Sequence, residues 1–144
     1  MDYTIRQMML DDYDRSYALW RTTDGVCLDE EDSRDGIALY LRRNQGLCFV
    51  ATVGEQLVGT VLCGHEGRRG ILRHLVVAPD FRGKGIARDL INHCRAALAR
   101  EGIRKCNIFV LDSNVEGRRF WEHMGWRLLE DDFRLMQIPT ERID

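Results

Sequence analysis

Ile71-Leu72-Arg73-His74-Leu75-Val76-Val77-Ala78-Pro79-Asp80-Phe81-Arg82-Gly83-Lys84-Gly85-Ile86-Ala87-Arg88 is the stretch from which the rest of the chain is best understood. Ile71 to Val77 is aliphatic apart from Arg73 and His74, and Pro79 has no N–H to give a ladder, so a mostly buried strand should end just before it. Beyond Arg82, the apolar residues Ala87, Leu90, Ile91, Cys94, Ala97 and Leu98 recur at helical spacing until Gly102 offers a stop after Arg100. A strand therefore passes through a glycine turn into a helix.

Gly83 and Gly85 let backbone N–H groups approach a ligand without a Cβ in the way, at the point where a helix leaves its first N–H groups unpaired. Such an end favours phosphate. Arg82, Lys84 and Arg88 add positive charge around the same turn. The competing reading is a glycine-rich turn with solvated cations. A Walker loop would need Ser or Thr after its lysine, and Lys84 is followed by Gly85. A dinucleotide fingerprint needs a third glycine where Arg88 stands.

The stretch resembles the acyl-CoA loop of the GNAT superfamily of N-acyltransferases, whose pattern is Arg/Gln-x-x-Gly-x-Gly/Ala. Arg82, Gly85 and Ala87 occupy those three positions. The preceding Leu75-Val76-Val77-Ala78-Pro79 is similar to the family's splayed strand, whose backbone pairs with the pantetheine arm. The resemblance thus implies acetyl-CoA as co-substrate, held by Leu75, Val77, Arg82, Gly83, Lys84, Gly85, Ile86, Ala87 and Arg88.

The chain has 144 residues, which suits one domain spanning 1–144 with an ordinary core. Its formal net charge of −2 gives no global basic field for nucleic acid or an anionic membrane. No apolar run approaches the roughly 18 residues of a membrane span, and Met1-Asp2-Tyr3 begins no basic-then-apolar leader, so a cytoplasmic protein is expected. Cys27, Cys48, Cys63, Cys94 and Cys106 are odd in number and widely spaced, as reduced core cysteines are. None has the spacing of a zinc site, and no structural metal is expected.

In chain order, Tyr3 to Met8 suits a first strand and Asp11 to Trp20 a first helix, with a second helix starting near Ser33. Leu47 to Val53 and Gln56 to Cys63, split by Gly54-Glu55, read as a hairpin. Lys105 to Leu111 should be a parallel strand joined to the central one by the long helix, in a right-handed crossover. Asn114 caps a short helix over Val115 to Met124, closed by Gly125. Trp126 to Leu129 and Phe133 to Ile138 are expected to form a final hairpin across Asp131-Asp132. The order β-α-α-β-β-β-α-β-α-β-β is an α/β (α+β) arrangement. With the resemblance, it implies the GNAT fold, a mixed central sheet splayed between two parallel strands.

A second motif supports the first. GNAT proteins often carry Asn, then Phe-Tyr starting six residues on, and then Gly-Phe on the last helix; here Asn114, Phe120-Trp121 and Gly125-Trp126 stand at those places. By resemblance, Asn114 and Trp121 also face the cofactor. The tyrosine that commonly serves the family as acid is replaced by Trp121, whose indole N–H donates a hydrogen bond but does not titrate usefully. Glutamates that act as bases in some members would fall at Ile71 or Phe109, both apolar. His74 and Glu66 are the nearest titratable substitutes, since imidazole has a suitable unperturbed pKa and a carboxylate can work through water. A histidine satisfied within the fold is the competing reading of His74.

Strand alternation puts Arg73 and His74 on opposite faces, so only one of them should face the acceptor. Trp20 and Arg73 are candidate acceptor contacts, with Trp20 as a core residue the alternative. Arg68, Arg69 and Arg73 together suggest an acceptor carrying an anion such as a carboxylate. The function implied is transfer of an acetyl group from acetyl-CoA to a primary amine of a small molecule, peptide or protein by direct attack in a ternary complex. A non-catalytic acyl-CoA sensor and an unrelated phosphate-binding protein are the alternatives, and dimerisation through the final strands stays open.

Overall fold

A computed structural model describes residues 2–129 and 134–140. The chain divides into two compact units, Met1–Leu111 and Asp112–Asp144.

The first unit is built on one five-stranded sheet whose spatial order follows the chain: β1 (Thr4–Gln7), β2 (Phe49–Val53), β3 (Gln56–His65), β4 (Gly70–Val77) and β5 (Cys106–Asn107). The first four strands are antiparallel neighbours, and β4 pairs with β5 in parallel. Gly54, at φ +58°, supplies the left-handed residue of the two-residue turn that closes the β2–β3 hairpin. The parallel pair is joined by the long helix α3 (Ile86–Arg100), which ends where Gly102 takes φ +84°.

Helices α1 (Tyr13–Arg21) and α2 (Arg34–Arg43) pack on one face of the sheet. There Trp20 and Ile37 join Val50, Leu62 and Val76 in a common core. α3 covers the other face, where a Cβ on Gly59 would meet Ile86 and Leu90, and one on Gly70 would meet Leu98. The side chains of Leu90, Ile91 and Cys94 are almost wholly buried, and each large apolar one contributes about 1.5–3 kcal/mol. Ser33 caps α2 by accepting from the Gly36 N–H at 3.1 Å, as its position before the periodic run predicts.

The first helix begins later than Asp11. Leu10–Asp12 form a 3₁₀ turn, because the Asp12 carboxylate is drawn inward to accept from the Met9 N–H at 2.8 Å and to pair with Arg6 and Arg15, each at 2.7 Å. The parallel strand is also shorter than Lys105 to Leu111. Its ladder stops after Ile71↔Asn107, and the residues beyond have no strand partner.

The second unit holds α4 (Val115–His123), capped by Asn114, whose side-chain oxygen accepts from the Gly117 N–H at 2.9 Å. Trp126 to Leu129 and residues 134–138 are not strands, while Phe133 and the Asp131-Asp132 turn lie outside the described residues. Among the described residues, no helix is long and apolar enough to cross a membrane.

Candidate functional site

At the C-terminal end of β4, the Ala78 N–H donates to the Val58 carbonyl at 2.8 Å, and Pro79–Phe81 make a single 3₁₀ turn. Gly83 and Gly85 then take φ +76° and +87°, conformations that cost an ordinary L-residue about 1–2 kcal/mol. Gly85 is the N-cap of α3 and offers no side chain, so the first-turn N–H groups of Ile86 and Ala87 have no side-chain cap. Arg82 is tied to the strand end by its Nε, which donates to the Val77 carbonyl at 3.0 Å. The Tyr3 hydroxyl donates to the Asp89 carboxylate one turn into the helix, and this bond, with burial, pushes the Tyr3 phenol up. Lys84 is exposed, whereas the Ile86 side chain is 2% exposed in the core, so only its backbone faces the turn. The result is a cradle of backbone donors with the cations of Arg82 and Lys84 beside it.

Just before that turn the sheet opens. Only Gly70 and Ile71 pair with β5, so Leu72 to Val77, including the candidates Leu75 and Val77, have no strand partner on that side. Their backbone edge is available to an extended ligand that carries amides, as in strand addition.

Within that open edge lies His74, at φ +51°, the one described residue other than glycine with positive φ. The register against β3 shifts between Thr60 and Leu62, which face Val76 and Arg73, so β4 carries an extra residue there. This bulge breaks the alternation expected from sequence. Arg73 reaches the side of the sheet that α2 covers, and His74 turns to the same side, against Trp20 of α1 at 4.7 Å between ring centres. The expectation that only one of the two could face that side is therefore corrected.

His74 Nε2 lies 2.7 Å from Asp32 Oδ1, with the two side chains only 12% and 10% exposed. Asp32 is itself held. Its other oxygen accepts from the Asp29 N–H at 3.1 Å, and its carbonyl accepts from the Tyr13 hydroxyl at 2.7 Å. A proton on Nε2 donated to Asp32 leaves Nδ1 as the basic nitrogen, which makes no hydrogen bond among the described residues. Nothing in the sequence singles out Asp32, which is one acid in Asp29-Glu30-Glu31-Asp32. Trp20 is corrected as an acceptor contact. It is 0% exposed, its Nε1 donates to Thr60 Oγ1 at 2.8 Å, and Thr60 Oγ1 donates to the His74 carbonyl at 2.8 Å. Trp20 thus supports the bulge from beneath.

Toward the N-terminal end of β4 a cavity of about 850 Å³ opens between that strand, β5 and α2, with Ile71, Arg73, Phe109, Tyr40 and Glu66 in its wall. Arg73 lies over the Phe109 ring at 6.0 Å. Glu66 is partly committed, since Oε1 accepts from the Arg69 N–H at 3.0 Å. His74 is not in this wall. Burial pushes the Tyr40 phenol up, keeping it neutral. Burial also pushes the Cys48 and Cys106 thiols up to about 12, so neither is a ready nucleophile. No group of three or more His, Cys, Asp or Glu among the described residues is placed to hold a metal ion.

In the second unit, the Asn114 side chain is engaged as the α4 cap, and Trp121 packs edge-on against Trp126 at 4.9 Å and Phe120 at 5.2 Å.

The sequence pattern of the acetyltransferase (GNAT) family matches residues 6–126. Among solved structures, the chain is similar to PaiA N-acetyltransferase from Thermoplasma acidophilum in complex with coenzyme A, with a TM-score of 0.78, 20% identity, and 92% of this chain and 94% of that one covered. It is similar to ribosomal-protein-alanine N-acetyltransferase from Brucella melitensis biovar Abortus 2308, with a TM-score of 0.72, 21% identity, and coverage of 96% and 100%. A predicted acetyltransferase with acetyl-CoA from Clostridium acetobutylicum gives a TM-score of 0.74 at 14% identity, over 94% and 96% of the two chains.

Proposed function

This chain belongs to the acetyltransferase (GNAT) family, and from that premise we propose that it transfers the acetyl group of acetyl-CoA to a primary amine of a small molecule or peptide. The observation that carries the reading is the continuous surface made by the unpaired edge of Leu72 to Val77 and the uncapped glycine turn that follows it. Two unlike needs of one ligand, amide pairing and phosphate binding, are met in the order in which coenzyme A presents them. We take 1–144 as one domain on the same ground, because the family match runs across the boundary at Leu111. Five unpaired cysteines fit a reducing compartment, which supports placing the protein in the cytoplasm.

Acetyl-CoA supplies an activated acyl carbon and a good leaving group. Gly83, Gly85 and the N–H groups of Ile86 and Ala87 hold its phosphates, with Arg82 and Lys84 countering their charge. Backbone N–H groups near Val77 stabilise the oxyanion that develops on the carbonyl. Amine attack forms a C–N bond, breaks the C–S bond and leaves the nitrogen with one proton more than the amide keeps. His74 takes that proton at Nδ1, directly or through a water, while Asp32 fixes the ring and its tautomer. Glu66 is the second candidate base, weaker because one oxygen is engaged by Arg69. The leaving thiolate takes its proton from water.

Trp121 in place of the usual acid also favours a second reading, a non-catalytic acyl-CoA sensor. Release of free thiol, followed across a panel of primary amines, separates the two. Amine-dependent release is expected, and tight acetyl-CoA binding with no release from any amine would make the protein a sensor.

A further inference from the structure

Of the residues in the wall of the cavity beside β4, the acetyl-transfer reading uses Glu66 alone. Four arginines stand in its wall against two glutamates: Arg43 from α2, Arg68 and Arg69 from the β3–β4 loop, and Arg73 from β4. None of the four makes an ion pair among the described residues. Arg43 donates one N–H to the His65 carbonyl at 3.3 Å, and Arg73 rests on the Phe109 ring. Both contacts fix a guanidinium without neutralising it. One of the two carboxylates is partly spent on the Arg69 N–H. The wall therefore carries a surplus of positive charge.

The floor gives a second, independent sign. The Tyr40 hydroxyl and Asn44 Oδ1 are buried without a hydrogen-bond partner among the described residues, and Asn44 as a whole is 6% exposed. Asn44 Nδ2 donates to the Tyr40 carbonyl at 3.0 Å, which fixes the amide so that its oxygen is the orphan. A buried polar atom left unpaired is costly, and one in a cavity wall is relieved by a ligand that brings a donor. Phe109, 69% exposed, and Leu39, 59% exposed, give the same cavity apolar surface.

Resting on the acetyl-transfer reading, we propose that this cavity receives the acceptor, and that the acceptor is an amine carrying a carboxylate or phosphate group. The anion lies among Arg43, Arg68, Arg69 and Arg73, a hydrogen-bond donor of the acceptor meets Asn44 Oδ1, and its apolar part lies along Phe109 and Leu39. Guanidinium groups suit either anion, because both present paired oxygens to the planar fork.

The test is calorimetric titration of succinate, inorganic phosphate and, as the control without an anion, ethanolamine into the wild-type protein and into an Arg43→Gln/Arg73→Gln variant. Folding of the variant is checked by its thermal transition, and Arg68→Gln/Arg69→Gln serves as a second variant. Wild type is expected to bind succinate or phosphate and not ethanolamine, and the first variant to lose roughly tenfold or more of that affinity. Succinate alone identifies a carboxylate acceptor, and phosphate alone a phosphorylated one. No anion binding, or binding equally strong in both variants, overturns the proposal. Acetyl-CoA, titrated in parallel, should bind wild type and the first variant alike. If acetyl-CoA binds and the anions do not, the acceptor class falls and the transferase reading stands. If the anions bind through these arginines and acetyl-CoA binds nothing, the transferase reading falls instead.

Discussion

The C-terminal end of β4 runs into a turn made almost wholly of backbone, held within the nine residues Val77 to Gly85 and tightened by one bond from Arg82. Its N-terminal end opens on a cavity made of side chains drawn from α2, the β3–β4 loop, β4 and Phe109. The first surface needs particular φ values and so demands glycine at fixed spacing; the second needs only charge, shape and one apolar ring. A common ligand can be gripped by the first in many proteins, while the second is free to differ with each acceptor. His74 stands at the junction, where a bulge turns its ring to the α1 and α2 side.

The largest effect should come at that junction. His74→Gln removes the base and is expected to lower kcat by about 10²–10⁴-fold while leaving acetyl-CoA affinity unchanged, measured by thiol release and calorimetry. Asp32→Asn should cost less and alter the pH dependence of kcat, since it frees the tautomer without removing the ring. If both variants keep full kcat, the junction is structural and the two ends of β4 act with no residue between them.

Next comes the turn. Arg82→Glu is expected to raise the Kd for acetyl-CoA by roughly a hundredfold, through one lost charge-assisted contact and one new repulsion. An unchanged Kd would remove the turn from the binding surface. Gly85→Val places a β-branched residue at φ +87°. It should lower stability in denaturant by about 1–2 kcal/mol and weaken acetyl-CoA as well, and a loss of stability alone would mark the glycine as a fold requirement only.

The smallest functional effect is expected far from both ends. Burial pushes the Asp12 carboxyl up, but the hydrogen bond from Arg6, the Met9 N–H and the charges of Arg6 and Arg15 outweigh it and hold the group below the usual carboxylate range. A depressed folded value means stability that is present above the unfolded value of about 3.9 and lost as pH falls through the folded one. Asp12→Asn should therefore lower Tm near neutral pH and flatten its decline below about pH 4, with ligand binding at both ends untouched. A Tm profile parallel to wild type would show that the carboxylate contributes nothing through its ionisation.

The same contrast accounts for what was legible in the sequence. The strand, the Arg82–Ala87 pattern and α3 could be read because each rests on neighbours in the chain: β-branched residues, glycines that allow positive φ, and apolar residues at helical spacing. The β2–β3 hairpin was visible in Gly54-Glu55 for the same reason. The bulge at His74 was not, since nothing in Arg73-His74-Leu75 marks an extra residue; it arises from register against Thr60 and from Trp20 below. Asp32 was hidden in an acidic run that looks like solvated surface. The floor of the cavity left one readable signal. Tyr40, Arg43 and Asn44 are three and four residues apart, which places them on one side of α2 and at its end.

The most direct measurement is a calorimetric titration of acetyl-CoA into the wild-type protein, with ATP and NAD as controls and Arg82→Glu alongside. Selective binding of acetyl-CoA that the charge reversal weakens by roughly a hundredfold is the expected result. No heat from acetyl-CoA, with ATP or NAD bound instead, would contradict the assignment of the turn and the function built on it.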